Sequence, residues 1–277
     1  MADATAWISG AIHATASDWA ARVVTNGGAA VSDNTLAAVS NFCGALDAAA
    51  ITVLMSAVNV FAPDNLIASI TPLIVGVGVD PWTNTNFVAA DLSIQGLKGN
   101  GSNKYLDSGV VANAAFSGTT EGGISLYNTF ATIPTTQSEM AGGSSATVNI
   151  LLESCSGANA IFNCFSNGNG QVSGATNLPF GLGFTSGNRT TASAASIYTA
   201  NSIVAFSALA TSALTNIQNP QAFSIAVFAV NYNAVISRYS GKRLSFAAIH
   251  HGLTSAQCQA LYNAVQQMRQ AFGGGWV

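Results

Sequence analysis

The hydrophobic and polar positions divide the chain near residue 75 into a helical part and a longer part of short strands. After Ser32 or Asp33, either of which can cap a helix, apolar residues recur at helical spacing. This stripe consists of Leu36, Val39, Cys43 and Leu46. A second short helix is predicted over Ile51–Val60, and Asp64 is positioned to cap one further turn.

From about residue 73 onward, short apolar segments are separated by Gly, Ser, Asn and Thr, without helical patterns between them. This arrangement is typical of an antiparallel β-sandwich or barrel. The segment Phe223–Val230 is almost continuously apolar, which predicts a central strand covered on both faces. The other predicted strands are Leu73–Val79, Ile124–Ala131, Thr147–Glu153, Ala160–Phe165, Phe180–Phe184, Ser196–Thr199, Ile203–Leu209 and Leu244–His251.

The chain closes with the clearest helical pattern in the sequence. Thr254 and Gln257 form a capping box, and Leu253 with Cys258 has the spacing of a hydrophobic staple. Gly273 supplies the stop signal. We therefore predict two regions: a helical region at 1–75 for attachment or subunit contact, and a mainly β, antiparallel sandwich at 76–277 that ends in a helix at 255–272.

Charge is scarce in this chain. Charged residues make up 7% of the sequence, against roughly a quarter in an ordinary domain, and the net charge is −3. Arg238, Lys242 and Arg243 form the one basic cluster, which is too small for a nucleic-acid partner. Because weak net charge gives little colloidal repulsion, the composition favours a component of an assembly over a free monomer.

The longest apolar runs, Ala48–Ala62 and Leu66–Val79, are shorter than the roughly 20 residues that span a bilayer, so no membrane insertion is expected. The first ten residues, MADATAWISG, contain no basic segment followed by an apolar one, so no secretory signal is expected. The four cysteines have no metal-type spacing. Free thiols are favoured throughout, with pairing of Cys155 and Cys164 as the alternative.

Two segments resemble laminin-G-like jelly rolls of the concanavalin A type. The unit Arg243–Val265 resembles the last strand and closing helix of that superfamily, through Leu253, Thr254, Leu261 and Tyr262. The segment Leu97–Val110 resembles its opening strand. The order of five segments looks like a recurrent protein of tailed bacteriophages, found among tail, fibre or other virion genes: Trp19–Gly28, the helix at 33–47, Val58–Leu73, Asn86–Leu92 and Leu97–Val110.

The resemblance covers most of residues 18–270, although 120–240 contributes strand patterning alone. It implies a jelly-roll sandwich and a structural virion protein that acts through assembly with other virion proteins and through host attachment. A homo-oligomer, a trimer by analogy with fibres, is expected. A glycan-binding adhesin is the alternative function, and a glycoside hydrolase comes third.

Candidate catalytic chemistry is sparse, and we expect no enzyme. Glycoside hydrolysis needs two carboxylates roughly 5–10 Å apart, yet Glu121, Glu139 and Glu153 lie in three separate segments. His250 and His251 are adjacent on a strand and point to opposite faces, so they do not chelate one ion. The more common explanation is a strand end where one histidine is partly buried and hydrogen-bonded and the other meets solvent.

No cofactor is predicted, with calcium as the one option. Asp80, Asp91 and Asp107 lie near predicted strand ends, where carboxylates and backbone carbonyls suit this ion, although turn-forming aspartates are more common. For glycan contacts, Trp82 follows Pro81 in a loop-like stretch and Tyr232 lies between two asparagines. An aromatic ring there would stack on a sugar, and the alternative is packing.

Overall fold

The chain forms a mainly β structure in which two sheets face each other as a sandwich. The computed structural model describes residues 11–116, 121–130, 137–145, 149–156, 158–165, 171–175, 181–213, 218–220 and 222–275. The N-terminal ten residues, and the predicted strand ends at Ala131, Thr147 and Phe180, lie outside these ranges. The architecture confirms the predicted fold class.

Five α-helices lie within the described ranges. They are α1 Ala14–Thr25, α2 Asp33–Ala48, α3 Leu66–Ile70, α4 Ala112–Ala115 and α5 Ser255–Ala271. The Ser32 side chain caps α2, and Thr254 and Gln257 make the capping box of α5, as predicted. Gly273 follows α5 with φ of 84°, the left-handed conformation that ends many helices.

The strands, in chain order, are β1 Met55–Asn59, β2 Thr83–Thr85, β3 Leu92–Ser93, β4 Gly96–Lys98, β5 Tyr105–Val111, β6 Gly122–Phe130, β7 Met140–Gly143, β8 Asn149–Ser156, β9 Asn159–Cys164, β10 Gln171–Ala175, β11 Gly183–Thr191, β12 Ala194–Ala200, β13 Ser207–Ala213, β14 Ser224–Val227, β15 Val230–Tyr232, β16 Val235–Ser237 and β17 Arg243–His250. Sheet A has the order β13-β12-β11-β6-β17-β4-β3, with β1 also paired to β17. Sheet B has the order β10-β9-β8-β7-β14-β5-β2. The β15–β16 hairpin joins sheet B through a parallel pairing of β15 with β7, and the other recorded ladders are antiparallel.

The molecule has two main hydrophobic cores. One fills the space between the sheets and includes Leu126, Ile150 and Phe162. The other lies between the outer face of sheet A and the helices α1, α2 and α5, and it includes Trp19 and Phe246. The helices are therefore fixed to the sandwich by burial of apolar side chains.

Residues 1–75 were predicted as a helical region for attachment, and that role stays a prediction. Their described part supplies α1, α2, α3 and also β1, which lies in sheet A beside β17. The predicted helix over Ile51–Val60 is wrong, since this segment forms a short 3₁₀ turn at Thr52–Leu54 and then β1. All five β1 residues are buried, so tertiary pairing outweighs the local helical pattern.

Three further local predictions are wrong. Asn65 caps α3 in place of Asp64, whose carboxylate accepts a hydrogen bond from the Ser32 backbone. Leu73–Val79 is not a strand, although Ile74 forms an isolated antiparallel β-bridge with Val58. The apolar run Phe223–Val230 is divided between β14 and β15, because Phe228 adopts a left-handed conformation with φ of 67°.

Candidate functional site

A groove of about 260 Å³ lies on the face of sheet B that points away from the sandwich core. The alternation of β8 shows this orientation: Ile150 and Leu152 are buried in the inter-sheet core, whereas the residues between and beside them line the groove. The lining consists of Asn149, Leu151, Glu153, Ser156, Ile161, Asn163, Gln171, Tyr232 and Arg238. We refer to it as the sheet B groove.

The strand register brings the groove side chains together in rows. Leu151 of β8 is opposite Asn163 of β9, and Glu153 is opposite Ile161. Asn163 is in turn opposite Gln171 of β10. Side chains directly opposite each other on paired strands share one face, so three strands present a continuous surface of amide and apolar groups.

Tyr232 closes one side of the groove. It packs with Ile161 against the small apolar cluster of Ala141, Leu151 and Val230 on this outer face. The Asn149 amide donates to the Tyr232 hydroxyl at 3.3 Å. Burial raises the pKa of Tyr232 above its usual value, so the phenol stays protonated near neutral pH.

An ion pair crosses the groove. Arg238 Nη1 lies 3.3 Å from Glu153 Oε1, and the side chains are 38% and 3% exposed. The Ser138 hydroxyl donates a short hydrogen bond to the same carboxylate. The guanidinium is therefore on the solvent side and the carboxylate on the floor.

A second ion pair lies beneath this one and is buried. Lys242 Nζ is 2.5 Å from Glu139 Oε1, and it also donates to Ser154 Oγ at 2.9 Å. The Ser154 backbone N–H donates to Glu139 Oε2 at 2.7 Å. Burial raises the pKa of Glu139, the Lys242 charge opposes that rise, and the Glu153 charge adds to it.

Sequence reasoning missed this carboxylate pair, because it assigned Glu139 and Glu153 to separate segments. Met140, the first residue of β7, pairs with Leu152 of β8, so Glu139 just before β7 and Glu153 of β8 flank the same pair. Their proximity depends on that register, and a pattern along one strand does not reveal it. The signal was the short spacing of β7 and β8 along the chain, which favours a hairpin.

The structure places the two predicted glycan-contact residues in different environments. Tyr232 lines the sheet B groove, and its contact with sugar stays a prediction. Trp82 is fully buried in the inter-sheet core, where its ring meets the edge of Phe61 at a centroid distance of 6.3 Å. Since no face of that indole reaches solvent, its burial argues against a sugar contact.

The histidines at the end of β17 differ as the sequence predicted, with His250 fully buried and His251 half-buried. His250 Nε2 lies 2.8 Å from Ser125 Oγ, and its Nδ1 lies 2.7 Å from the His251 carbonyl. Burial lowers the pKa of His250 to about 4. Ser125 and His250 are residue types that can act as nucleophile and base, but both side chains are buried beneath α5, where a substrate does not reach.

The aspartates proposed for calcium take part in three separate contacts. Asp80 bonds Arg22 at 2.7 Å, Asp91 pairs with Lys104, and Asp107 accepts from Ser224 at 3.0 Å. Among the residues that the structure describes, no three His, Cys, Asp or Glu side chains are grouped so as to hold a metal ion.

The four cysteines, Cys43, Cys155, Cys164 and Cys258, are buried thiols. Burial raises the pKa of Cys43, Cys164 and Cys258 to about 12, so these thiols are not reactive at neutral pH. Within the described ranges, no helix has the length and apolar character needed to cross a membrane.

A second cavity of about 380 Å³ lies between α2 and α5. Five alanines line it, together with Phe42, Met268 and four uncharged amide side chains. Its described lining residues include no charged side chain, and it is less suited to specific recognition than the sheet B groove.

The sequence matches no protein-family model and no curated protein. Solved structures are similar in fold. Domain 4 of AbnA, an extracellular arabinanase from Geobacillus stearothermophilus in complex with arabinotriose, has a TM-score of 0.52 and 16% identity, over 76% of this chain and 98% of that domain. At this identity the similarity concerns the fold, which is a β-sandwich domain.

Two sialidases are more distant. A Trypanosoma rangeli sialidase mutant has a TM-score of 0.42 and 11% identity, over 92% of this chain and 38% of that one. A mutant of the NanB sialidase from Streptococcus pneumoniae has a TM-score of 0.41 and 11% identity, over 57% of this chain and 26% of that one. The chain thus spans well under half the length of either sialidase.

Proposed function

We propose that this protein binds carbohydrate in the sheet B groove. The observation that carries the proposal is the composition of the groove: an aromatic ring and apolar side chains beside amide and hydroxyl groups, all on paired strands. Rigid strands hold such groups in place more accurately than loops do.

The groove matches the two kinds of surface that a sugar presents. Its C–H faces are apolar and suit the Tyr232 ring with Leu151 and Ile161. Its hydroxyls donate and accept hydrogen bonds, as do the side chains of Asn163 and Gln171. The volume is close to the lower end of the range of about 300–1,000 Å³ for small-molecule sites, so a small saccharide or the end of a glycan chain is expected.

The arabinanase domain gives independent support of a limited kind. That domain has the same type of fold along nearly its whole length, and it was solved with arabinotriose. The likeness makes carbohydrate binding a reasonable use of the sandwich, while the site itself is argued from the groove.

We propose binding without hydrolysis. Of the two glutamates near the groove, Glu139 is fully buried against Lys242, and Glu153 is paired with Arg238. A glycosidase needs one carboxyl to donate a proton and another to act as nucleophile or base, and paired carboxylates serve neither role well.

The predictions of a virion location, of other virion proteins as partners and of a homo-oligomer stay predictions. Carbohydrate binding agrees with the host-attachment alternative that the sequence raised, because cell-surface receptors include glycans. The groove supplies no observation that favours an assembly role over that alternative.

A glycan array followed by titration of the strongest ligands tests the proposal. The wild-type protein at about 100 μM is expected to bind at least one printed saccharide saturably. Tyr232→Ala should weaken that binding at least tenfold, whereas Tyr198→Ala, a half-buried tyrosine of β12 on sheet A, should not. Absence of binding on the array, or equal loss in both variants, would contradict the proposal.

A further inference from the structure

We infer that the sheet B groove selects uncharged sugars, because the Glu153–Arg238 pair cancels the one positive charge that faces the ligand. The inference rests on the carbohydrate-binding proposal and names its ligand class. Among the described residues that line the groove, Glu153 and Arg238 are the two charged ones.

The position of each partner decides what a ligand meets. Arg238 is 38% exposed and Glu153 is 3% exposed, so a ligand reaches the guanidinium first and the carboxylate lies directly behind it. The Arg238 side chain has five N–H donors, and within the described part of the chain its bond to Glu153 uses one of them. The others are available for sugar oxygens, while the net charge stays near zero.

The backbone of Arg238 is held by a hydrogen bond from Ser138. That backbone adopts a left-handed conformation with φ of 50°, which is strained for a residue with a side chain. Its carbonyl accepts a hydrogen bond from the Ser138 N–H at 3.1 Å. Since Ser138 also bonds Glu153, one residue holds both members of the pair.

The buried pair beneath the groove adds no free charge to it. Lys242 and Glu139 are 1% and 0% exposed and contact each other, so their charges cancel locally. If Arg238 turned toward an anionic ligand, Glu153 would be left without its cation in a poorly solvated site. Such uncompensated buried charge is strongly unfavourable.

A carboxylated sugar therefore has to share Arg238 with Glu153, and it brings a second negative charge close to the Glu153 carboxylate. A hydroxyl accepts from the same guanidinium without disturbing the ion pair, and it donates to the amide oxygens of Asn163 or Gln171. The geometry thus favours a neutral pyranose or furanose over the uronic acid of the same configuration.

The test uses matched pairs of oligosaccharides that differ only in the oxidation of a terminal hydroxymethyl group to a carboxylate. Wild-type protein is expected to bind the neutral member roughly tenfold more tightly or better, with little change between about 50 mM and about 500 mM NaCl. Glu153→Gln frees the charge of Arg238 and should reverse the preference, with an affinity for the acid that falls as salt rises.

The outcomes separate the two proposals. If the wild-type protein binds neither sugar, the proposal of carbohydrate binding itself is overturned. Tighter binding of the acid by wild-type protein, or an unchanged ratio in a folded Glu153→Gln variant, overturns only the selectivity. If Glu153→Gln fails to fold, the wild-type ratio and its salt dependence still decide the question.

Discussion

The two outer faces of the sandwich differ in what lies on them. On sheet A, large side chains such as Tyr127, Phe184 and Phe246 pack against α1, α2 and α5. On sheet B, the outer face has a much smaller apolar cluster, and none of the described residues that line the groove beside it belongs to a helix.

This difference shows how a chain with 7% charged residues controls exposure. A sheet face rich in aromatic side chains has to be covered, and helices from both ends of the described chain cover it. A face rich in amides, hydroxyls and one balanced ion pair can remain toward solvent. Truncating a side chain should therefore lower the stability of the protein when the residue lies on the outer face of sheet A, and ligand affinity when it lies on the outer face of sheet B.

The largest effect is expected from Phe246→Ala. This fully buried ring meets Phe42 of α2 at a centroid distance of 5.9 Å, so its removal leaves a cavity beneath the helices. The free energy of unfolding should fall by about 3–5 kcal/mol, measured by urea denaturation. Phe130→Ala, on the same sheet but 38% exposed, should cost about 1 kcal/mol. Equal losses would contradict the contrast between covered and exposed positions.

Lys242→Met should have an effect of similar size on the sheet B side. It leaves Glu139 buried without its cation, which costs about 3–5 kcal/mol of unfolding free energy. The double variant Lys242→Met with Glu139→Leu should recover most of the loss. As a control, Asp18→Asn removes an exposed partner of Arg22 and should change stability by less than about 1 kcal/mol. A double variant no more stable than the single one would show that the pair is not the cause.

The third effect is a pH dependence on the covered face. Burial lowers the pKa of His250 from 6.5 to about 4, so the unfolded chain binds a proton that the folded protein does not. The free energy of unfolding should therefore fall as the pH drops through this interval, by about 3 kcal/mol in all. His250→Gln should remove this component in denaturation curves, whereas His251→Gln, at the half-buried neighbour, should retain it. If the free energy of unfolding still falls with pH in the His250→Gln variant, the titration belongs to other groups.

The smallest effect on stability is expected at the groove. Tyr232→Ala should lower the free energy of unfolding by about 1 kcal/mol, because the ring is half-buried and packs against a small cluster. Its main consequence should be a loss of sugar affinity of roughly tenfold or more, measured by calorimetry. A large loss of stability without loss of affinity would show that Tyr232 has a structural role, like the residues under the helices on sheet A.

The parts of the fold with local signals were predictable from the sequence. Ser32 before an apolar stripe predicted α2, and Thr254 with Gln257 predicted α5. The long strands β6 and β17 also lie where alternation and apolar runs placed them. In contrast, β1 was predicted as a helix, because its identity depends on pairing with β17 about two hundred positions away in the chain.

Only one residue of the candidate site could be predicted from the sequence. Tyr232 stood out as an aromatic between asparagines, but its partners come from β8, β9 and β10 and share a face through their register. Trp82 carried a similar local signal and proved to be buried, because its place between the sheets is a property of the tertiary structure. Local sequence indicates which residues suit a ligand, whereas strand order decides which of them meet.

The most direct test of carbohydrate binding on sheet B is a crystal structure with the strongest neutral glycan from the array. The account predicts that a sugar ring lies against Tyr232 with hydroxyls bonded to Arg238 and to the amides of Asn163 or Gln171. Density for the sugar elsewhere, for example in the cavity between α2 and α5, with the sheet B groove empty, would contradict it.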